Sequence, residues 1–277
     1  MKTVNAHGAN IPQLGFGTFR MPEAEVLSIL PKALATGFRH VDTAQIYENE
    51  AAVGEAIQTS GVARSEIFLT TKVWVANYGK DKFAASVEES LAKLRTDHVD
   101  LLLLHWPNDA VPLADQIGEL NAVRERGLAK HIGVSNFNST LMADAVRLSA
   151  APLATNQVEY HPYLDQTKVL EAAATNSMAL TAYYAMADGK VPKEAVLKEI
   201  GAAHHKSAAQ VVLRWLIQQP DVVALTKTAT EGRLAENLAI FDFALTPDEM
   251  ARIHGLARPD GRIVSPDGLA PAWDQAA

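Results

Sequence analysis

The chain has 277 residues, of which 48% are hydrophobic and 21% charged, and its formal net charge is −7 at pH 7. These values are ordinary for a globular protein, and the acidic balance argues against general binding to the phosphate backbone of nucleic acids. The absence of cysteine excludes disulfide bonds, thiolate catalysis and zinc sites with cysteine ligands. The longest apolar stretch, residues 99–106, is far shorter than the roughly 20 residues that span a bilayer, and the N-terminus has no apolar signal core. We therefore expect a cytoplasmic protein with neither a membrane nor a nucleic-acid partner.

A repeating pattern of strand and helix runs along the chain. Residues 3–12, with His7-Gly8 at their centre, are predicted to form a small β-hairpin. Eight short apolar runs then recur at intervals of about 25 to 40 residues, and a helical pattern such as that of residues 82–94 follows each run. Two helical segments precede the last run. The runs end near Gly17, Asp42, Lys72, Leu104, Ser135, Glu159, Tyr184 and Leu225.

This cadence predicts a (β/α)8 barrel (TIM barrel), because parallel strands need crossover helices and about 250 residues is the usual length of such a barrel. An open doubly wound sheet is the alternative, but we find neither the composition breaks nor the glycine-rich nucleotide loop that usually mark one. Gly15-Phe16-Gly17 is not such a loop, since Arg20 occupies the position of the third glycine. Thr-Pro-Asp-Glu from residue 246 predicts an extra C-terminal helix. We expect a single domain, residues 1–277, that ends in an irregular surface segment.

Four reactive side chains lie at the ends of three consecutive barrel strands. Asp42 ends the second run, Tyr47 lies on the loop after it, Lys72 ends the third run and His105 follows the fourth. In a barrel, the carboxyl ends of the strands form one mouth that carries the chemistry, so we expect these side chains to converge there. Each residue alone also has a structural interpretation, as a loop cap, a surface ion pair or a packed ring.

These residue types suit the reduction of a carbonyl group. A hydride that reaches the carbonyl carbon leaves an alkoxide, which needs a proton. A phenol with an ordinary pKa of about 10 is a weak donor at neutral pH unless a cation stabilises its phenolate. Lys72 can supply that cation, Asp42 can hold the ammonium in place, and His105 can orient or polarise the carbonyl oxygen.

Several segments resemble the signature segments of the aldo-keto reductases, in that family's order and over essentially the whole chain. They are DTAQIYENE at 42–50, TKVW at 71–74, LHWP at 104–107, IGVSNF at 132–137 and NQVEYHP at 156–162. The closing segment, RIVSPDGLAPAWD at 262–274, looks most like the bacterial diketogluconate reductases of this family.

The resemblance implies a (β/α)8 barrel that binds NADPH and reduces carbonyl groups. It implies that Tyr47 is the proton donor, with its pKa lowered by Lys72 and Asp42, and that His105 orients the substrate. It also implies a set of cofactor contacts along the mouth: Gly17, Thr18, Asp42, Ser135, Asn136, Gln157, Tyr183, Lys227, Thr228, Arg233, Glu236 and Asn237.

Different parts of this set match different parts of the cofactor. Ser135, Asn136 and Gln157 match positions that bind the carboxamide, and Tyr183 matches the ring that stacks on the nicotinamide. Glu236 and Asn237 match positions that contact the adenine. Lys227 and Arg233 supply positive charge where a 2′-phosphate would lie, which favours NADPH over NADH. The sequence departs from the family at Thr226, where proline is usual, and at residues 184–186, where Tyr-Ala-Met replaces Ser-Pro-Leu.

Aromatic residues follow three of the strands and are predicted to wall the substrate pocket. Phe19, Trp74 and Trp106 would surround Tyr47 and His105 and bury the carbon skeleton of a substrate. The connections at 108–113 and 185–190 are short, so we expect an open pocket for small polar carbonyl compounds. Methylglyoxal, keto sugars, keto acids and activated benzaldehydes are the candidates.

Two other classes of protein compete with a reductase. A non-catalytic barrel could bind the cofactor as a redox sensor or as a partner-binding subunit, although the complete set of four reactive residues argues against it. A metal-dependent hydrolase could use Asp42, His105 and His161, but Lys72 would place a competing cation in that site. We expect no metal, a small-molecule carbonyl substrate as the partner, and, from the resemblance, a monomer.

Overall fold

The computed structural model describes residues 1–275 and confirms the predicted barrel. Its eight parallel strands close in the order β10-β3-β4-β5-β6-β7-β8-β9. They are β3 (Leu14–Gly17), β4 (His40–Asp42), β5 (Phe68–Val73), β6 (Val99–Leu104), β7 (Ala129–Ser135), β8 (Leu153–Glu159), β9 (Ala179–Tyr183) and β10 (Val222–Thr226). Each observed strand ends within one residue of the end of a predicted apolar run, so the carboxyl ends of the strands are where the sequence places them.

The predicted N-terminal hairpin is also present, formed by β1 (Thr3–Ala6) and β2 (Ala9–Pro12). His7 and Gly8 join them with φ angles of 51° and 87°, the left-handed pair that a tight two-residue turn requires. Since β2 leads directly into β3, the hairpin lies at the amino end of the barrel, where Ile11 packs in one cluster with Leu101 and Val223. This end of the barrel is closed, which leaves the carboxyl end for chemistry.

Helices surround the barrel and bury their apolar faces against the outside of the strands. They are α1 (Glu23–Thr36), α2 (Glu50–Thr59), α3 (Lys80–Leu94), α4 (Leu113–Glu125), α5 (Ser139–Leu148), α6 (Thr167–Thr175), α7 (Ala195–His204), α8 (Ala208–Gln218), α9 (Gly232–Leu238) and α10 (Pro247–His254). The extra C-terminal helix, α10, begins as predicted, with a capping box between Thr246 and Glu249. In residues 1–275, no helix is both long enough and apolar enough to cross a bilayer.

Two connections differ from what the sequence predicts. The segment between β9 and α7 is longer than the short loop expected at 185–190, and it contains two 3₁₀ turns, Ala187–Gly189 and Val191–Lys193. The C-terminal segment has neither helix nor strand from residue 258 to residue 275, as expected, but it is not a simple surface segment. Gly261 is buried against the backbone of Tyr163, where a Cβ atom would overlap the Tyr163 carbonyl oxygen. The tail is therefore packed onto the barrel.

Candidate active site

The four predicted reactive side chains come together at the carboxyl mouth. Asp42 is the last residue of β4, Lys72 lies one residue before the end of β5, and His105 follows β6. Tyr47 is the last residue of a 3₁₀ turn after β4, which carries its ring back over the mouth. The Tyr47 and His105 ring centroids are 5.6 Å apart. The convergence that the strand ends predict is therefore observed.

A buried ion pair forms the centre of this cluster. Lys72 Nζ lies 2.6 Å from Asp42 Oδ1, and both side chains are essentially excluded from solvent. The ammonium also donates to the Thr43 carbonyl at 2.9 Å and to the Tyr47 phenol oxygen at 3.3 Å. The other Asp42 oxygen accepts from Gln157 Nε2 at 2.8 Å. An ammonium has three N–H donors, so all three are used and one of them is fixed on Tyr47.

The electrostatics of Tyr47 differ from the expectation that Lys72 and Asp42 lower its pKa. Burial raises the pKa of Tyr47 well above its usual value of 10, and the nearby Asp42 carboxylate raises it further. Asp42 also offsets the charge of Lys72, whose own pKa is lowered by burial. Tyr47 therefore keeps its proton at neutral pH and gives it up only to a strong base.

His105 is a neutral ring at this site. Burial, together with the Lys72 charge, lowers the His105 pKa well below 6.5. Neither ring nitrogen hydrogen-bonds another residue in the part of the chain that the structure describes, and Nδ1 is fully buried. Nε2 is therefore the nitrogen that a bound molecule can reach, and it can take part in a hydrogen bond to an oxygen there.

Two of the three aromatic residues predicted to wall the pocket lie next to the Tyr47 and His105 rings. Phe19 lies 5.1 Å from Tyr47 and Trp74 lies 5.4 Å from His105, measured between ring centroids. Trp106 is buried, and its ring lies 6.3 Å from that of Trp273 on the C-terminal tail. Sequence reasoning missed Trp273, although it belongs to the closing segment that resembles the family.

A second residue that sequence reasoning missed is Gln45. Its side-chain oxygen accepts from the Trp74 backbone N–H at 2.8 Å and from Asn77 Nδ2 at 3.0 Å. Its amide nitrogen donates to Ser90 Oγ at 3.1 Å on α3. Gln45 thus ties the loop that carries Tyr47 to the loop that carries Trp74. Its position two residues before Tyr47 was the only available signal.

The residues predicted to bind a carboxamide lie beside this centre. Ser135 Oγ donates to the Gln157 carbonyl at 2.8 Å, and Asn136 Nδ2 donates to the His105 carbonyl at 2.9 Å. The Tyr183 hydroxyl donates to Asn136 Oδ1 at 2.6 Å. These side chains form one connected polar group that borders the mouth from β7 to β9.

Three further residues predicted to contact the cofactor, Gly17, Thr18 and Lys227, lie at the ends of β3 and β10, and of these only Lys227 is predicted to bind a phosphate. A Cβ atom at Gly17 would approach only the Thr226 carbonyl, at 3.8 Å, so the edge between these strands is open. Thr18 is buried, and both its backbone N–H and its hydroxyl donate to the Asp42 carbonyl. Lys227 is exposed, and its Nζ donates to the Phe19 carbonyl at 3.1 Å.

The other residues predicted to contact the cofactor, which include the adenine contacts Glu236 and Asn237, lie around α9. Arg233 is exposed, and Thr228 Oγ1 accepts from the Thr230 N–H at 3.0 Å. Asn237 Nδ2 donates to Thr226 Oγ1 at 3.1 Å. Proline, which is usual in the family at position 226, has no side-chain oxygen that could accept this bond. Glu236 Oε1 accepts from Ser207 Oγ at 2.6 Å, so its carboxylate is engaged by the start of α8.

The alternative metal site does not form around His161. His161 Nε2 lies 2.8 Å from Glu159 Oε1, and both side chains are fully buried. Within the described residues 1–275, no group of three or more histidine, aspartate or glutamate side chains is arranged to hold a metal ion.

Residues 13–258 match the model of the aldo/keto reductase family. The chain belongs to this family. It is 46% identical over 268 residues to the methylglyoxal reductase DkgB of Yersinia pestis, with 96% of this chain and 100% of that protein covered. It is 37% identical over 275 residues to the 9,11-endoperoxide prostaglandin H2 reductase of Trypanosoma cruzi, with 98% and 96% covered.

A solved structure gives the same result for the fold. The crystal structure of a protein assigned as a 2,5-diketo-D-gluconic acid reductase B superposes with a TM-score of 0.98 at 69% sequence identity. The superposition covers 99% of this chain and 98% of that chain. The protein is thus an oxidoreductase of the (β/α)8-barrel type, and members of its family in general use NAD(P)H.

Replacing Lys72 by methionine should lower the free energy of unfolding by about 3–5 kcal/mol, because it leaves the buried Asp42 carboxylate without a cation. Urea denaturation followed by circular dichroism measures this loss. Lys93→Met is the matched control, since Lys93 pairs with Glu89 at 2.6 Å in an exposed position on one helix. The control should change stability by less than about 0.5 kcal/mol. Equal losses in the two variants would contradict the structural importance of the Lys72–Asp42 pair.

Proposed function

We propose that this protein reduces small aldehydes and ketones to alcohols, with NADPH as the hydride donor and Tyr47 as the proton donor. The observation that carries the proposal is the Lys72 ammonium, which directs one N–H at the Tyr47 oxygen next to a neutral His105. This contact places a positive charge beside the oxygen that would become a phenolate when Tyr47 gives up its proton. Membership of the aldo/keto reductase family supports the same reaction class.

The residues at the mouth fit a nicotinamide dinucleotide. In the described part of the chain, no hydrogen bond reaches Gln157 Oε1, which can therefore accept from a carboxamide N–H. Asn136 can donate to the carboxamide oxygen if it exchanges its bond to Ser135 Oγ. Tyr183 offers a half-buried ring beside them. Exposed Lys227 and Arg233 can bind a 2′-phosphate.

The cofactor supplies a hydride to the carbonyl carbon of the substrate when it is bound. His105 Nε2 and the Tyr47 hydroxyl together hold the carbonyl oxygen and orient it. As charge develops on that oxygen, Tyr47 transfers its proton to it, because an alkoxide is a far stronger base than a phenolate. Lys72 then faces the Tyr47 phenolate at 3.3 Å and stabilises it, while Asp42 keeps the ammonium from moving.

The pocket walls favour small, compact substrates. Phe19 and Trp74 lie close to the Tyr47 and His105 rings, so the carbon skeleton of a substrate held by Tyr47 and His105 would lie beside aromatic surfaces. The relatives named above include a methylglyoxal reductase and a protein assigned as a 2,5-diketo-D-gluconic acid reductase B. We propose the same class, small polar carbonyl compounds, for this chain.

The first test is Tyr47→Phe, assayed by NADPH oxidation with methylglyoxal. Turnover should fall by about a hundredfold or more because the variant lacks the proton donor. Affinity for NADPH, followed by quenching of tryptophan fluorescence, should stay within about twofold, because the phenol acts on the alkoxide and not on the cofactor. Near-normal turnover in this variant would contradict the role of Tyr47. Tight NADPH binding without turnover of any carbonyl compound would favour a cofactor-sensing module.

The pH dependence of reduction follows from the two shifted groups. The His105 pKa lies well below 6.5 and the Tyr47 pKa well above 10, so neither group changes charge near neutrality. We expect kcat/KM to stay constant from about pH 6 to pH 9. A fall in kcat/KM centred near pH 6.5 that disappears in His105→Gln would contradict the assignment of a neutral ring.

The third test concerns the choice of cofactor. Replacing both Lys227 and Arg233 by alanine should weaken NADPH binding by about tenfold or more and leave NADH binding nearly unchanged, because only NADPH carries the 2′-phosphate. Fluorescence titration with both cofactors measures the ratio. Replacing Lys190 and Lys193 by alanine removes the same charge from a different loop and serves as the control. An unchanged NADPH/NADH ratio in the first variant would place the phosphate site elsewhere.

A further inference from the structure

The side-chain amide of Gln45 is fixed by partners at both of its ends. Its oxygen accepts from the Trp74 backbone N–H at 2.8 Å and from Asn77 Nδ2 at 3.0 Å. Its nitrogen donates to the Ser86 carbonyl and to Ser90 Oγ on α3, each at 3.1 Å. A backbone N–H can only donate and a carbonyl can only accept, so a single orientation of the amide fits between these partners.

The Trp74 end of this connection depends on Gln45. Trp74 follows the last residue of β5, and its N–H lies outside the hydrogen-bond ladder of the barrel. In the part of the chain that the structure describes, this N–H has no acceptor besides the Gln45 oxygen. Tyr47 is held in other ways, since its N–H donates to the Ala44 carbonyl and its hydroxyl accepts from Lys72. Loss of the Gln45 amide would therefore release Trp74 more than Tyr47.

The rest of the loop after β5 is held from the opposite side. The Tyr78 hydroxyl donates to the Trp106 carbonyl at 2.8 Å, and Asn108 Nδ2 donates to the Val75 carbonyl at 3.2 Å. These bonds join residues 75–78 to the loop after β6. They do not reach Trp74 itself, so without the Gln45 amide the Trp74 end of the loop loses its fixed position.

The position of Trp74 matters because its ring borders His105. The two ring centroids are 5.4 Å apart with their planes at 78°, and the Tyr47 ring lies 5.6 Å from His105 at 77°. Trp74 is half-buried, so part of its surface is free to meet a bound molecule. A misplacement of about 1 Å at such a surface is enough to change how a reacting group is oriented.

We propose that Gln45 is a positioning residue for substrate recognition, which places the Trp74 ring beside His105 by holding the Trp74 backbone. The inference rests on the proposed function, because it concerns the substrate pocket of the same site. Gln45 touches neither the substrate nor the cofactor in this proposal and acts through Trp74. An aromatic aldehyde extends far enough from its carbonyl group to meet the Trp74 ring, whereas methylglyoxal has only an acetyl group beyond its aldehyde. The contribution of Gln45 should therefore depend on the size of the substrate.

The experiment compares 4-nitrobenzaldehyde with methylglyoxal in wild type and Gln45→Met, a variant of similar size without the amide. KM for the aromatic aldehyde should rise by about tenfold, while kcat stays within about threefold because Tyr47, Lys72 and His105 are unchanged. For methylglyoxal, kcat/KM should stay within about threefold of wild type. The matched control is Gln58→Met, since Gln58 is exposed on α2 and its oxygen accepts from Arg95 at 2.7 Å. It should change neither substrate by more than about twofold.

A double-mutant cycle tests whether Gln45 acts through Trp74. In a Trp74→Ala background, Gln45→Met should change KM for 4-nitrobenzaldehyde by less than about twofold, because the ring that Gln45 positions is already absent. A tenfold loss in both backgrounds would mean that Gln45 acts by another route, which overturns the inference.

Hydrogen exchange provides a measurement that does not depend on turnover. In Gln45→Met, the peptide that carries Trp74 should exchange faster than in wild type, since its N–H has lost its acceptor. A peptide from β6 should keep its protection, which shows that the variant is folded. Unchanged exchange at Trp74 would contradict the dependence of this loop on Gln45.

The outcomes distinguish this inference from the proposed function. Equal losses for the two aldehydes in Gln45→Met would mean that Gln45 supports the whole site, and no loss for either would mean that Trp74 is held without it. Both results overturn the inference and leave the reductase activity in place. Failure of wild type to reduce either aldehyde would instead reject the proposed function.

Discussion

The buried pair of Lys72 and Asp42 is the constraint on which the rest of the site depends. Removing two charges from water costs several kcal/mol for each ion unless partners replace the lost hydration. The structure provides those partners from three different segments: the Thr43 carbonyl, the Tyr47 phenol and the Gln157 amide. Satisfying the pair therefore also fixes Tyr47 over the mouth and orients β8 against β4. The hydrogen bonds that offset the cost of burying the ion pair therefore also position Tyr47, the proposed proton donor.

Much of this site can be predicted from sequence because it depends on strand ends. Once apolar runs mark where parallel strands stop, the barrel rule places Asp42, Lys72 and His105 at one mouth, and the structure agrees. The direction of the Tyr47 pKa shift could not be predicted in the same way. It depends on how completely the phenol is buried and on how strongly the Asp42 charge acts on it, and neither quantity has a local sequence signal.

The C-terminal tail also has contacts that cannot be predicted from local sequence, because its partners lie far away in the chain. Residues 258–275 have no periodic pattern, so sequence alone gives an irregular surface segment, and the irregular part of that prediction is correct. What the sequence does not reveal is that Glu159 accepts hydrogen bonds from residues more than 100 positions later in the chain. A glutamate at the end of a strand looks like a surface residue until the partner segment is known. The prediction of an open pocket considered only the strand–helix connections, and Trp273 reaches Trp106 from the tail instead.

The charges at the mouth also reconcile an acidic protein with the anionic cofactor that we propose for it. The net charge of −7 is spread over the whole chain, whereas Lys72 and Asp42 cancel each other where hydride transfer would occur. Exposed positive charges lie outside that centre, on Lys227 and Arg233. Screening by salt limits long-range repulsion to about 8–10 Å, so an anion near these residues responds mainly to them. A neutral centre beside these exposed cations would let them bind the phosphate groups of the proposed cofactor and leave the developing alkoxide to Tyr47 and Lys72.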